Sequence, residues 1–124
     1  MHPITDKIIR DGPKATNLDA LSQTVKFRLY SDAADTLMRQ GNYVWAADAF
    51  LLAGNKQALR DHGKWLLAQR RFGLAALFLL HTEDESTLLH LAQECMRIGE
   101  TSSALRIYEK LGDATMVSFL QENK

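Results

Sequence analysis

Three alanines, Ala46, Ala75 and Ala104, stand 29 residues apart, and other columns keep the same register. Four residues after each comes a large apolar residue: Phe50, Leu79 and Tyr108. Twelve residues before each comes a small one, Ala34, Gly63 and Ala92, and nine after each a capping residue, Asn55, Asp84 and Asp113. No column needs a gap. One such coincidence would carry little weight, but four columns of matching residue class predict a three-fold internal repeat.

Each repeat is expected to hold two helices. Asn55, Asp84 and Asp113 suit the N-cap position, where a side-chain oxygen accepts from a free first-turn amide. Leu59, His62, Gly63, Leu66 and Leu67 recur at three- and four-residue spacing, as do Leu88, Leu91, Ala92, Cys95 and Met96. Each set makes an apolar stripe on one helix face. Gly41 and Gly99 sit where a positive φ ends a leading helix. Arg70-Arg71 stands there in the second repeat, so its turn is expected to be built differently. The second helices then span about 43–53, 72–81 and 101–111. The first leading helix has no cap at Lys26, and its apolar pattern runs back through Val25, Leu21 and Leu18 to Asn17. This predicts one long helix over about 18–40. Upstream, Pro3 to Asp11 is expected to form a short helix carrying Ile4, Ile8 and Ile9, ended by Gly12-Pro13.

Small residues at the alanine columns let paired helices approach closely, with Tyr43 and Phe50 filling the spaces beside them and Ala53 admitting the next pair. A helical pair cannot bury its apolar face alone, whereas three stacked pairs make a continuous core. The stretch GLAALFLL is apolar all round, as a middle helix must be. The C-terminal segment offers Met116, Val117 and Leu120 to the stack and Gln121, Glu122 and Lys124 to water, as a terminal cap requires. Val44 and Trp45 stand where the third repeat has Ser102 and Ser103, so the core does not need them. Cover by the Ile4/Ile8/Ile9 segment is expected, with a partner as the alternative, which makes Val44 and Trp45 a second candidate contact surface.

The segment from Tyr30 to Ala53 resembles the tetratricopeptide repeat. The likeness rests on Ala33-Ala34 in the first helix, the turn Gly41-Asn42-Tyr43, and then Ala46, Phe50 and Ala53. Leu91-Ala92, Gly99, Ala104 and Tyr108 match in the third repeat, and Gly63, Phe72 and Ala75 in the second. The repeat here is 29 residues, shorter than the family's length of about 34, and the family's closing proline is absent. A related short-repeat α-solenoid fits equally well. The resemblance implies an all-α fold: a right-handed α-α superhelix of about three helical-hairpin repeats plus a C-terminal capping helix. It would form a single domain, with an appendage over 1–16, repeats over 17–54, 55–83 and 84–112, and the capping helix over 113–124.

The resemblance also implies binding of another protein or peptide in a groove lined by the leading helices. The groove-facing columns are Arg28, Ser31, Asp32, Asp35 and Arg39; then Gln57, Arg60, Asp61 and Lys64; then Ser86, His90, Gln93 and Arg97. Lys56, Arg60 and Lys64 follow one another at four-residue steps and so lie near one helix face. Some family members clamp a peptide's C-terminal carboxylate with basic and Asn residues. Arg60, Lys64 and Arg97 match the basic part, but the Asn residues have no match, so that ligand is not implied. A structural subunit that self-assembles through repeat ends is the alternative, and a homo-oligomer stays open.

Fifteen basic and fifteen acidic side chains leave no net charge, which disfavours a globally basic nucleic-acid binder. Lys56, Arg60, Lys64, Arg70 and Arg71 are locally basic, but Trp65 and Phe72 fall in core columns rather than on a stacking surface. His2, His62, His81 and His90 show no metal-ligand spacing. The single Cys95 permits no Cys-x-x-Cys motif, and it should face away from His90 as a core thiol. Glu83-Asp84-Glu85 lacks the alternating ligands and Gly of a calcium loop and suits a helix start. No catalytic residue, metal or cofactor is expected. MHPITDKIIR has no apolar run of signal-peptide length. The apolar stretch from Gly73 to Leu80 is far short of the roughly 20 residues that span a bilayer. No membrane insertion and a cytoplasmic location are therefore expected.

Overall fold

The computed structural model describes residues 2–123. Among these residues there are eight α-helices and no strand: α1 Pro3–Asp11, α2 Gln23–Arg39, α3 Tyr43–Ala53, α4 Lys56–Ala68, α5 Phe72–Leu79, α6 Glu85–Arg97, α7 Thr101–Leu111 and α8 Ala114–Glu122. A short 3-10 turn, Pro13–Ala15, follows α1. No helix of the described residues is long and apolar enough to cross a membrane. The chain divides into two compact units, one ending at Leu59 and the other beginning at Arg60.

Among the described residues one turn closes five helices, α2, α3, α4, α6 and α7, with Gly54 and Gly112 making it after α3 and α7. The other three closures stand 29 residues apart. The Gly41 and Asn42 amides donate to the Met38 and Leu37 carbonyls, Arg70 and Arg71 to Leu67 and Leu66, and Gly99 and Glu100 to Met96 and Cys95. Each pair of bonds satisfies the last carbonyls of a helix around a left-handed residue. The φ values are +77° at Gly41, +63° at Arg70 and +83° at Gly99. The expectation of a different turn at Arg70-Arg71 is therefore corrected. The chain reversal demands the left-handed conformation, and Arg70 adopts it at a cost of about 1–2 kcal/mol relative to right-handed backbone. The connection after α5 is the one that differs. Leu80 stays right-handed, and the His81 and Thr82 amides close tight turns on Phe78 and Leu79. The buried Thr82 hydroxyl donates to the Leu79 carbonyl at 2.7 Å, and α5 stops at Leu79.

The predicted caps form. Asn55, Asp84 and Asp113 accept from the amides of Ala58, Thr87 and Met116, and Asn42 accepts from Trp45. The long helix over 18–40 does not form. Asn17 Oδ1 accepts from the Asp19 amide at 2.9 Å, the Leu21 amide donates to the Leu18 carbonyl, and α2 begins only after Ser22, whose Oγ accepts from Val25. A local side-chain bond at Asn17 competes with helix. The resulting turn buries Leu18 and half-buries Leu21 against α1 and α2.

In the first unit, Ile8, Leu18, Leu29, Tyr30, Ala33 and Ala53 form one apolar cluster, with Ile4 and Ile9 packed on it. The Tyr30 hydroxyl donates to the Thr16 carbonyl at 2.9 Å, and Thr16 donates to the Gly12 carbonyl. Ala33, Ala34, Ala46 and Ala49 are fully buried, as close packing of α2 on α3 requires. In the second unit, Ala75, Ala92, Cys95, Ala104 and Ile107 are fully buried. Gly63 lets α4 and α5 meet: a Cβ there would lie 2.5 Å from Leu79 Cγ.

Candidate partner-binding surface

In the first unit, Arg28, Asp32, Asp35 and Arg39 are exposed on α2. Their spacing of four, three and four residues keeps them on one face. Ser31 does not join them. It is buried, and its Oγ accepts from Asn55 Nδ2 at 3.2 Å, so it ties α2 to the start of α4. Three of the four, Asp32, Asp35 and Arg39, line a shallow depression of about 490 Å³ together with His2, Thr5 and Thr36. Arg39 Nη2 donates to Thr36 Oγ1 at 3.0 Å, and Thr36 Oγ1 donates to the Asp32 carbonyl. His2 caps α1, its Nδ1 accepting from the Ile4 amide at 3.0 Å. Sequence reasoning missed His2, Thr5 and Thr36. The His2-Pro3 pair marks a helix start and could have placed His2. No pattern marks a hydroxyl such as Thr5 that folding buries.

On α4, Gln57 is exposed, as are Asp61 and Lys64, while Arg60 is half-buried. Lys64 Nζ lies 3.2 Å from Asp84 Oδ2. Asp84 also accepts from the Thr87 hydroxyl at 2.8 Å and from Ser86. These bonds, Thr87 foremost, hold its carboxyl well below the usual carboxylate range. On α6, His90, Gln93 and Arg97 are exposed at three- and four-residue spacing. Arg97 pairs with Glu94 at 2.8 Å and lowers that carboxyl's pKa.

The Val44-Trp45 pair separates. Trp45 is half-buried, its ring against Gly12, where a Cβ would lie 3.2 Å from Trp45 Cζ2. Gly12, just past the helix that carries the isoleucines, thus lies against the indole, whereas Ile4, Ile8 and Ile9 pack with Leu18 and Leu29, and Val44 stays 54% exposed. Trp65 departs from its expected core place: it is 48% exposed, whereas Phe72 is buried. The three-residue step from His62 to Trp65 carries the indole past the buried line through Leu59, Gly63 and Leu66.

Burial pushes the Cys95 thiol up to about 11, with Glu100 and Glu94 adding to the effect. It is therefore a neutral core group rather than a nucleophile. Among the described residues no group of three or more His, Cys, Asp or Glu side chains is placed to hold a metal ion. The arrangement offers exposed charged and polar faces on α2 and α6, suited to recognising another molecule's polar groups. No family model, curated protein or solved structure matches this chain.

Proposed function

We propose that the chain is a non-catalytic cytoplasmic adaptor that binds a peptide or helix of another protein. Its helices would pair as tetratricopeptide-like hairpins in a right-handed superhelix. The observation that carries this reading is the exposed polar face of α2, where Asp32 and Asp35 make no side-chain bond to any described residue. Carboxylates that no described residue pairs with are suited to a bound partner. The threefold turn at 29-residue spacing supports the hairpin arrangement.

The test takes a partner identified by crosslinking and titrates it calorimetrically into the unaltered chain, an Arg28→Glu variant and a His90→Ala/Gln93→Ala variant. These side chains are exposed, so melting should hardly change, while affinity should fall about tenfold in either variant. Lys64 is a poorer choice because its ammonium pairs with the Asp84 cap. Unchanged affinity in both variants would sink the groove assignment.

One observation favours self-assembly as a second reading. Phe119 on the terminal helix α8 is 49% exposed, and an apolar end suits a stack that continues into another copy. Sedimentation equilibrium distinguishes the readings. A defined oligomer that Phe119→Ser dissolves supports assembly, and a monomer at all concentrations refutes it.

A further inference from the structure

The depression between α1 and α2 is lined by residues carrying three acceptors that no described residue uses. Asp32 and Asp35 lie three residues apart on one face of α2, and neither carboxylate has a side-chain hydrogen bond or ion pair among the described residues. Thr5, on α1, is only 1% exposed, and its Oγ1 has no hydrogen-bond partner among the described residues. Leaving a hydroxyl buried without a partner is costly, and native proteins keep few such groups. Thr5 also helps line the depression, so a group entering there could supply what the hydroxyl lacks.

The other lining groups narrow the choice of ligand. The His2 Nδ1 already accepts from the Ile4 amide, so the ring offers no further acceptor. Arg39 is held to Thr36, which leaves two carboxylates against one guanidinium in the lining. One monovalent cation would balance that charge. A guanidinium presents a planar fork that matches a single carboxylate side-on, whereas an ammonium is a compact charge with three donors. Three acceptors from two helices match the ammonium. The described residues provide no metal-binding group of three or more His, Cys, Asp or Glu side chains.

We propose that this depression binds a single primary ammonium, the side chain of a partner's lysine, between Asp32, Asp35 and the Thr5 hydroxyl. That the lysine belongs to a protein partner rests on the adaptor reading; the ammonium site itself does not. The probe is N-acetyl-lysine methylamide, titrated into the full ¹⁵N-labelled chain and followed by amide shifts. N-acetyl-norleucine methylamide, N-acetyl-arginine methylamide and calcium chloride are run alongside.

The lysine probe should give saturable shifts at Thr5, Asp32 and Asp35, weakening as salt is added, and norleucine should give none. Asp32→Asn/Asp35→Asn should weaken binding about tenfold or more. Thr5→Val keeps the shape, loses the acceptor and should weaken binding severalfold, with helicity by circular dichroism unchanged. Equal shifts from lysine and norleucine, tighter binding of the arginine probe, or a calcium response without a lysine response would each overturn the proposal. Loss of partner binding in the Arg28 and His90/Gln93 variants tests the adaptor reading separately, so either idea can fail while the other stands.

Discussion

Gly63→Ala should destabilise the protein even though alanine is the better helix former. The added methyl carbon would stand 2.5 Å from both Cγ and Cδ2 of Leu79 and 3.3 Å from Phe78 Cβ. Carbon atoms pack best about 3.5–4.0 Å apart, so the overlap with Leu79 is about 1 Å. Leu79 and Phe78 are both fully buried, so neither can swing out to water. Overpacking of this kind costs about 1–3 kcal/mol. The gain in helix propensity returns at most about 1 kcal/mol; with two fully buried neighbours the clash belongs at the upper end of that cost, about 3 kcal/mol, which leaves a net loss of about 2 kcal/mol. For a chain of this size that is a fall in Tm of about 6–12 °C. Gly73→Ala is the control. Gly73 is exposed in the first turn of α5, and its nearest neighbour would be Glu100 Oε2 at 3.6 Å, an ordinary contact. That variant should be neutral or slightly stabilised. Thermal and urea unfolding followed by circular dichroism measure both. Equal Tm values for the two variants would refute the claim that Gly63 exists to let α5 approach α4.

Two further outcomes follow from the turns and caps. Arg70→Gly should stabilise the protein by about 0.5–1 kcal/mol in urea unfolding, because glycine takes a φ of +63° without strain; the loss of the Arg70 contact with the Phe72 ring, 5.9 Å away, works against this gain. Asp84→Asn should flatten the acid side of the stability profile. The folded-state pKa of Asp84 is depressed, so its contribution is present above the unfolded carboxylate pKa of about 3.9 and fades as pH falls below it. Asparagine caps without titrating, and a Tm-versus-pH curve parallel to that of the unaltered chain would contradict the assignment.

Helix positions were legible where the signal is local. The caps Asn55, Asp84 and Asp113 and the glycines Gly41 and Gly99 act within one turn of backbone, and α3 and α7 span the residues expected, Tyr43–Ala53 and Thr101–Leu111. The buried alanines were legible too, because side-chain size at a fixed register limits how close two helices can come. Exposure of Arg28, Asp32, Asp35 and Arg39 on α2 and of His90, Gln93 and Arg97 on α6 follows from the same periodicity, whereas Ser31 is buried.

Other features needed the tertiary structure. Only the repeat register, which puts Arg70 in the column of Gly41 and Gly99, marks its left-handed turn; the residue type argues against it, and the helices on either side impose the conformation. Asn17 and Ser22 are both plausible caps, and burial of Leu18 against Ile8 goes with the later start. Trp65 fits an apolar stripe by spacing, but only the packing of its neighbours determines that the indole is left half in water. Thr5 lies about thirty residues from Asp32 and Asp35 in the chain. The amino-acid sequence determined their side chains and the helices that carry them. Only the packing of α1 on α2 put two carboxylates that pair with no described residue and a buried hydroxyl around one depression, because periodicity orients residues on one helix and says nothing of which face of another helix they will meet.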